Sequence, residues 1–241
     1  MLHKMHGEVR CILNKNHMKN IVAIGILFLT FNAFSQRVVD KAVGDFNEIK
    51  VYDLIEVKLI KSDENRVVVK GDKADDLQVI NKNGVLKLRM QLDKKFSGED
   101  TFVEVHFSEL DLIDGNEGSK INLAASLEQS KIELKTQEGA KITAKLDVEN
   151  VVVRAVTGGV VEVSGKTRFE DVVLNTGGVF LGKDLKSEMA NIKITAAGEA
   201  NINATEKVDI NIRIGGDVNV HGNPKEINQN TFAGGRVKII K

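Results

Sequence analysis

The chain has almost no cysteine and no tryptophan: Cys11 is the one cysteine among 241 residues. A chain with one cysteine cannot form an internal disulfide, so a hydrophobic core must hold the fold together. Neither sign of charge is in excess, since 34 basic side chains are balanced by 34 acidic ones. Proteins that bind nucleic acid favour a clustered basic face, so this balance argues against a nucleic-acid partner.

Motifs of the common catalytic and metal centres are also missing. Beyond residue 35 the two histidines, His106 and His221, lie far apart and belong to no HxH or HExxH motif. No nucleophile elbow, phosphate loop or dinucleotide fingerprint is present. The sequence therefore predicts no metal site, no cofactor and no catalytic residue.

Residues 1–35 have the pattern of an export signal. Met18-Lys19-Asn20 precedes an apolar run over 21–34, and Ala33-Phe34-Ser35 supplies a cleavage site before Gln36. At 14 residues the run is short for a membrane span, which needs about 20 residues. Translation could begin at Met18, and the alternative is an uncut helix that tethers the chain to a membrane.

Cleavage at Gln36 would change the composition of the mature chain. It would leave 30 basic and 33 acidic residues, a net charge of −3, and no cysteine. We expect an exported protein without a transmembrane anchor, located in the periplasm, on the outer surface or in the medium.

Glycines recur through the second half of the chain at intervals of 18 to 21 residues. An apolar alternation follows each one, such as Val161/Val163, and a second, such as Val172/Leu174, comes midway through most repeats. Repeats of about 20 residues with two such segments and a glycine corner are typical of a β-solenoid. The predicted corner glycines are Gly118, Gly139, Gly159, Gly178, Gly198, Gly216 and Gly235.

The predicted fold is an all-β, single-stranded β-helix of about six coils. Glycine suits the corners because they need positive φ and bring stacked backbones close together. An antiparallel sandwich also has short strands between turns, but it gives no reason for the regular spacing.

The chain has three regions with different sequence patterns. Residues 1–35 hold the upstream residues and the signal, residues 36–115 alternate without the 20-residue repeat, and residues 116–241 carry the repeats. We expect 36–115 to form an irregular β-rich cap on the first coil. The last strand, 237–241, is only partly blocked by lysines, so we expect a homo-oligomer or an added partner strand at this edge.

Several segments together resemble one family of exported bacterial proteins. They are Phe46-Asn47-Glu48-Ile49-Lys50-Val51, Val57-Lys58-Leu59, Val85-Leu86-Lys87-Leu88, the closing run 216–224 with its Gly-Asn-Pro, and Gly234-Gly235. The family is the putative auto-transporter adhesin, head GIN domain family, which is common in Bacteroidetes-type bacteria. The resemblance implies a right-handed β-helix and a surface or periplasmic location. The family has no established activity, so the resemblance supplies no catalytic residues.

Three functions remain open at the level of sequence. The first is a non-catalytic surface or periplasmic protein for adhesion or envelope assembly, with an envelope protein or a glycan as partner. The second is a carbohydrate-active enzyme, for which Glu117/Glu138 and Glu199/Asp217 are the candidate acid pairs. The third is an envelope scaffold or sensor. The acids followed by Lys120 and Lys141 favour a solvated charge ladder over a catalytic site.

Overall fold

The structure is a computed structural model that describes residues 38–71 and 73–240. The predicted export signal lies outside the described residues. About 69% of the described residues are in strands and 3% in helices, arranged as a β-helix of about seven turns. The prediction of an all-β solenoid is confirmed.

Seventeen strands of the described chain form one continuous sheet. Short 3-10 turns occur at Ala74–Asp76 and Leu92–Lys94. The strands are β1 (Val38–Ala42), β2 (Glu48–Val51), β3 (Glu56–Lys61), β4 (Arg66–Lys70), β5 (Leu77–Lys82), β6 (Val85–Met90), β7 (Phe102–Phe107), β8 (Leu112–Gly115), β9 (Lys120–Leu123), β10 (Leu127–Thr136), β11 (Lys141–Val156), β12 (Val160–Asn175), β13 (Val179–Ala196), β14 (Glu199–Ile214), β15 (Asp217–His221), β16 (Glu226–Ala233) and β17 (Arg236–Ile239).

Long parallel strands build the middle of the solenoid. Strand β11 pairs with β12 from Lys141↔Val160 to Val156↔Asn175, a register in which each residue lies beside the one 19 positions later. On its other side β11 pairs with β9 near its start and with β10 further along. Each strand therefore bends around the axis, and the sheet closes into a stacked coil.

Side chains of alternate residues point into the coil and stack in rows. One row runs through Ile142, Val161, Phe180, Ala200 and Val218, which are partners on successive coils and are all buried. Phe180 is much larger than its neighbours, and a Cβ added at Gly182 would lie 2.4 Å from its ring. The small residues Gly182 and Ala200 thus make room for the one large side chain in the row.

Stacking begins earlier in the chain than the glycine repeat indicates. Strand β2 pairs in parallel with β6 on one side and β8 on the other, and β3 pairs likewise with β7 and β9. The coil of β2 and β3 therefore lies between a later coil, β6 and β7, and the coil of β8 and β9.

Antiparallel pairing marks the N-terminal end of the solenoid. Strand β4 pairs antiparallel with β7 and with β1, and β5 pairs antiparallel with β6. The region 36–115 that we expected to be an irregular cap thus contributes two regular coils, and the antiparallel strands β1, β4 and β5 lie against them. Residues 36–241 form a single compact unit.

Candidate functional site

Several corners of the solenoid are tight turns with two successive residues at positive φ. Glu117 and Gly118 have φ of 51° and 70°, and Glu138 and Gly139 have 53° and 74°. The fourth residue of each turn donates its N–H to the first: Ser119 to Asn116 at 3.1 Å, and Ala140 to Gln137 at 3.1 Å. Turns of this kind match the twist of the strands that they connect.

Three of the predicted corner glycines meet only one of the two expected requirements, the close approach of stacked backbones. Gly159, Gly178 and Gly198 do not have left-handed φ, and in the first two corners the preceding Gly158 and Gly177 have it, at 72° and 76°. The reason is that Gly159, Gly178 and Gly198 face inward, against the coil below them. A Cβ at Gly178 would lie 2.0 Å from the carbonyl oxygen of Ala155. Close backbone approach therefore requires glycine there.

The remaining predicted corner glycines have positive φ. Gly118 and Gly139 occupy the third position of their turns, whereas Gly216 and Gly235 have φ of 130° and 125° after Gly215 and Gly234.

The first candidate acid pair lies at two stacked corners. The N–H of Gly118 donates to the carbonyl oxygen of Glu138 at 2.9 Å, so Glu117 and Glu138 belong to adjacent coils. Burial, followed by the nearby carboxylate of Asp53, raises the pKa of Glu117. Asp53 is itself engaged, since its oxygens accept the N–H groups of Met90 at 3.0 Å and Phe96 at 3.2 Å. The carboxylates therefore gather at a corner where Asp53 holds the backbone of the neighbouring coil.

Beside these acids the sequence predicts a solvated charge ladder. Lys141 pairs with Glu162 at 2.7 Å on the next coil. The second acid pair, Glu199 and Asp217, lies on adjacent strands as register partners. Arg236 donates to both oxygens of Asp217, at 2.6 and 2.8 Å, and Asn201 donates to Glu199 at 3.2 Å. Both acids of that pair thus have partners on the solenoid surface.

Outward polar side chains bond to one another from coil to coil along the later part of the solenoid. Asn191 donates to Asp171 at 2.8 Å, Asn219 to Asn201 at 3.0 Å and Asn228 to Asp209 at 2.9 Å. These ladders satisfy much of the polar surface within the protein itself.

A groove of about 330 Å³ lies on the outward face near the N-terminal end of the solenoid. Strands β3, β4 and β7, with residues 122–124, form its walls. We call it the Phe102 groove; its lining includes Glu56, Lys58, Lys70, Phe102, Glu104 and Asn122.

Phe102 gives the groove an apolar surface. Its side chain is 49% exposed, whereas Phe107 on the same strand is 1% exposed. The two differ by an odd number of residues and therefore face opposite sides of the strand. Lys70 donates to Glu104 at 2.9 Å across the groove, and this hydrogen bond lowers the pKa of Glu104.

Other polar groups of the groove have no internal partner. Glu56 and Asn122 form no side-chain hydrogen bond or ion pair with any described residue. Glu56 is the register partner of Phe102, and Asn122 is the register partner of Lys58.

The sequence prediction did not single out this groove, although part of the signal was present. The alternation Phe102-Val103-Glu104-Val105-His106-Phe107 places Phe102 on the same face as Glu104 once Val103 and Val105 are taken as inward. The pairing of β3 with both β7 and β9 could not be read from the chain order.

Glu170 is a buried acid in an otherwise aliphatic row. Its register partners are Val151 and Ala190, and only 2% of the residue is exposed. The Ser187 hydroxyl donates to its Oε1 at 2.9 Å, whereas Oε2 has no hydrogen-bond partner in the described structure. Burial raises the pKa of Glu170 to about 8. This carboxyl is therefore mainly protonated at neutral pH.

The last coil has an open edge within the described chain. Strand β16 pairs only with β14, and β17 pairs only with β15, so each has an unpaired side. Phe232 and Ile239 on these strands are 88% and 51% exposed.

The histidines lie apart in the structure. His106 is a register partner of Arg66 and of Ile60, and His221 is a register partner of Asn203. Among residues 38–71 and 73–240, no cluster of three or more His, Cys, Asp or Glu side chains could hold a metal ion. The same residues contain no helix that is long and apolar enough to span a membrane.

Taken together, the fold and its surface define a parallel β-solenoid with a lateral groove. The chain belongs to the family described as putative auto-transporter adhesin, head GIN domain, whose profile matches residues 45–224. Among curated proteins, none matches the chain.

Solved structures share this fold. A putative adhesin from Bacteroides fragilis NCTC 9343 is 17% identical, with a TM-score of 0.79 over 86% of this chain and 98% of that one. A putative adhesin from Parabacteroides distasonis ATCC 8503 is 18% identical, with a TM-score of 0.71 over 86% and 97%. A putative lipid binding protein from the same organism is 17% identical, with a TM-score of 0.64 over 87% and 98%. At these identities the likeness concerns the fold alone.

Proposed function

We propose that this chain is a non-catalytic, exported protein of the cell surface or periplasm that acts in adhesion or envelope assembly through its lateral face. The carrying observation is an open groove that exposes Phe102, on a solenoid surface where amides such as Asn191 and Asn219 bond from coil to coil. Rigid extended faces are what solenoid proteins use to contact large partners.

The second candidate acid pair, Glu199 and Asp217, favours this proposal over a carbohydrate-active enzyme. A glycosidase needs one carboxyl to donate a proton and another to act as base or nucleophile. Asp217 instead binds Arg236 through both oxygens, which lowers the pKa of Asp217. This acid is therefore poorly suited to donate a proton.

The test of the proposal is retention of partners by the chain 36–241. Immobilised protein is incubated with envelope extract and, separately, with a panel of oligosaccharides. We expect specific retention of an envelope component or a glycan without chemical change to it. Cleavage of a glycan would contradict the non-catalytic role, and absence of retention from both sources would contradict the adhesion role.

A second proposal concerns assembly, because the open edge of the last coil favours pairing with another copy of the chain. Arg236 N–H donates to Gly216 and Ile240 N–H donates to Val220, at 2.9 and 2.8 Å. Alternate N–H groups of a strand point in opposite directions, so the N–H of Ile239 faces the open side. A strand from a second chain would satisfy these groups.

Substitution of Ile239 by proline tests this assembly. Proline removes the outward N–H of residue 239 and should shift the protein from oligomer to monomer in light scattering at high micromolar concentration. Lys238→Pro is the matched control, because the N–H of Lys238 faces β15 and its loss should loosen the last coil. A monomeric wild type would rule out the homo-oligomer.

A further inference from the structure

We propose that the Phe102 groove binds a neutral saccharide, with the sugar ring against Phe102 and its hydroxyl groups on Glu56, Lys58 and Asn122. This inference rests on the proposed adhesion function and names the ligand class at one site. Its volume of about 330 Å³ lies within the range of small-ligand sites, which is about 300–1,000 Å³.

The aromatic surface is the first argument. Phe102 remains 49% exposed on a strand whose inward residues are fully buried, so the core does not explain it. Burying an aromatic ring against a ligand is favourable because apolar area leaves water. One face of a pyranose ring carries mainly C–H groups and suits such a surface.

The free polar groups are the second argument. The Asn122 amide offers two donors and an acceptor, and the Glu56 carboxylate offers only acceptors, which together match sugar hydroxyls that both donate and accept. Elsewhere on the solenoid, amides such as Asn191 and Asn219 bond to the adjacent coil. In the groove, Glu56 and Asn122 keep these capacities unused among the described residues.

The charge of the groove is the third argument and selects a neutral ligand. Two acids, Glu56 and Glu104, balance two bases, Lys58 and Lys70, in the lining. Lys70 and Glu104 already pair with each other at 2.9 Å. A phosphate or polyanion would require a net positive lining, and a bare acyl chain would leave Glu56 and Lys58 desolvated without a partner.

The experiment uses the chain 36–241 and an immobilised panel of neutral hexose and N-acetylhexosamine oligosaccharides. Titration calorimetry follows on any sugar that is retained. We expect Phe102→Ala to weaken binding about tenfold or more, equal to a change of about 1.4 kcal/mol. Asn122→Ala should weaken it as well, and circular dichroism should remain unchanged because both side chains are exposed.

Phe96→Ala is the matched control, since Phe96 is also an exposed phenylalanine, at 57%, and lies outside the lining of the groove. Its binding should equal that of the wild type. Equal sugar binding by wild type and Phe102→Ala would overturn the groove as the site while leaving the adhesion function intact. Retention of phosphatidylethanolamine vesicles but of no sugar would overturn the ligand class. No retention of sugar, vesicle or envelope extract would overturn the adhesion function too.

Discussion

The central coils and the N-terminal coil of β6 and β7 turn corresponding corners in different ways. Between β11 and β12 the chain uses a four-residue turn closed by the Gly159 N–H on Val156, at 2.9 Å. Between β6 and β7 it uses residues 91–101, a longer connection in which the Asp53 carboxylate accepts the N–H of Phe96. One corner is satisfied by its own backbone, and the other depends on a side chain from the adjacent coil.

The two regions also differ in how the outward polar side chains find hydrogen-bond partners. In the later coils several outward amides bond to a residue one coil away, so hydrogen-bond ladders form there. In the N-terminal coils the neighbours in space are not consecutive in sequence, since β3 lies between β7 and β9. The Phe102 groove lies where this repetition is broken. Regular stacking thus provides rigidity, and its interruption leaves side chains available for a partner.

The largest effect is expected from an alanine at Gly178, in the centre of the regular coils. The new Cβ would lie 2.0 Å from the Ala155 oxygen, so the two coils must separate. We expect a loss on the order of 3 kcal/mol or more in the free energy of unfolding. The urea midpoint at unchanged slope measures it.

Gly139→Ala is the control for that substitution. Gly139 has φ of 74°, and a Cβ there meets nothing within 4 Å. The left-handed conformation alone should cost about 1–2 kcal/mol. If both variants lose the same stability, conformation rather than close stacking determines where these glycines lie.

A second prediction concerns Glu170, the one buried acid among the described residues of strands β10 to β14. Its pKa is raised from 4.5 to about 8 in the folded protein by burial, so the folded state keeps a proton that the unfolded state releases. The contribution of Glu170 to the free energy of unfolding is therefore fully present below about pH 4.5 and is lost as the pH rises to about 8. At about 1.4 kcal/mol per pKa unit, the ceiling is roughly 5 kcal/mol.

Glu170→Gln should remove this pH dependence and raise the unfolding midpoint at pH 9. The amide remains neutral and keeps an oxygen for the Ser187 hydroxyl. Glu149→Gln, at an exposed position, should leave the pH profile of the wild type unchanged. A pH profile of Glu170→Gln that equals those of the wild type and Glu149→Gln would contradict a protonated Glu170.

The coils of the second half could be predicted because each carries its own signal. Val161/Val163 and Val172/Leu174 alternate around a glycine corner, and neighbouring repeats then stack in the same phase. The order of the first coils could not be predicted, because β2 gives no sign in its own sequence that β6 and β8 are its neighbours. Long-range pairing determines that order.

For individual site residues, the sequence predicts only whether a side chain faces into or out of the coil, because alternate residues of a strand (odd or even positions) point to opposite sides. Glu170 shares its parity with Val172 and Leu174, which places it inward, and Phe102 shares its parity with Glu104, which places it outward. Parity does not identify partners, however. The hydrogen bond between Glu170 and Ser187 joins residues that are not register partners, since Glu170 lies beside Ala190.

The smallest effect is expected at the last coil, where Arg236 binds Asp217 through two hydrogen bonds at 2.6 and 2.8 Å. Both side chains are exposed, so water and salt screen the pair. Arg236→Gln should leave the urea midpoint nearly unchanged. It should increase amide hydrogen exchange in β17, because the pair connects that strand to β15, while exchange in β12 and β13 stays the same. Exchange that also rises in β12 and β13 would show that the coils open together, and the contrast between a cooperative centre and an independent last coil would then be wrong.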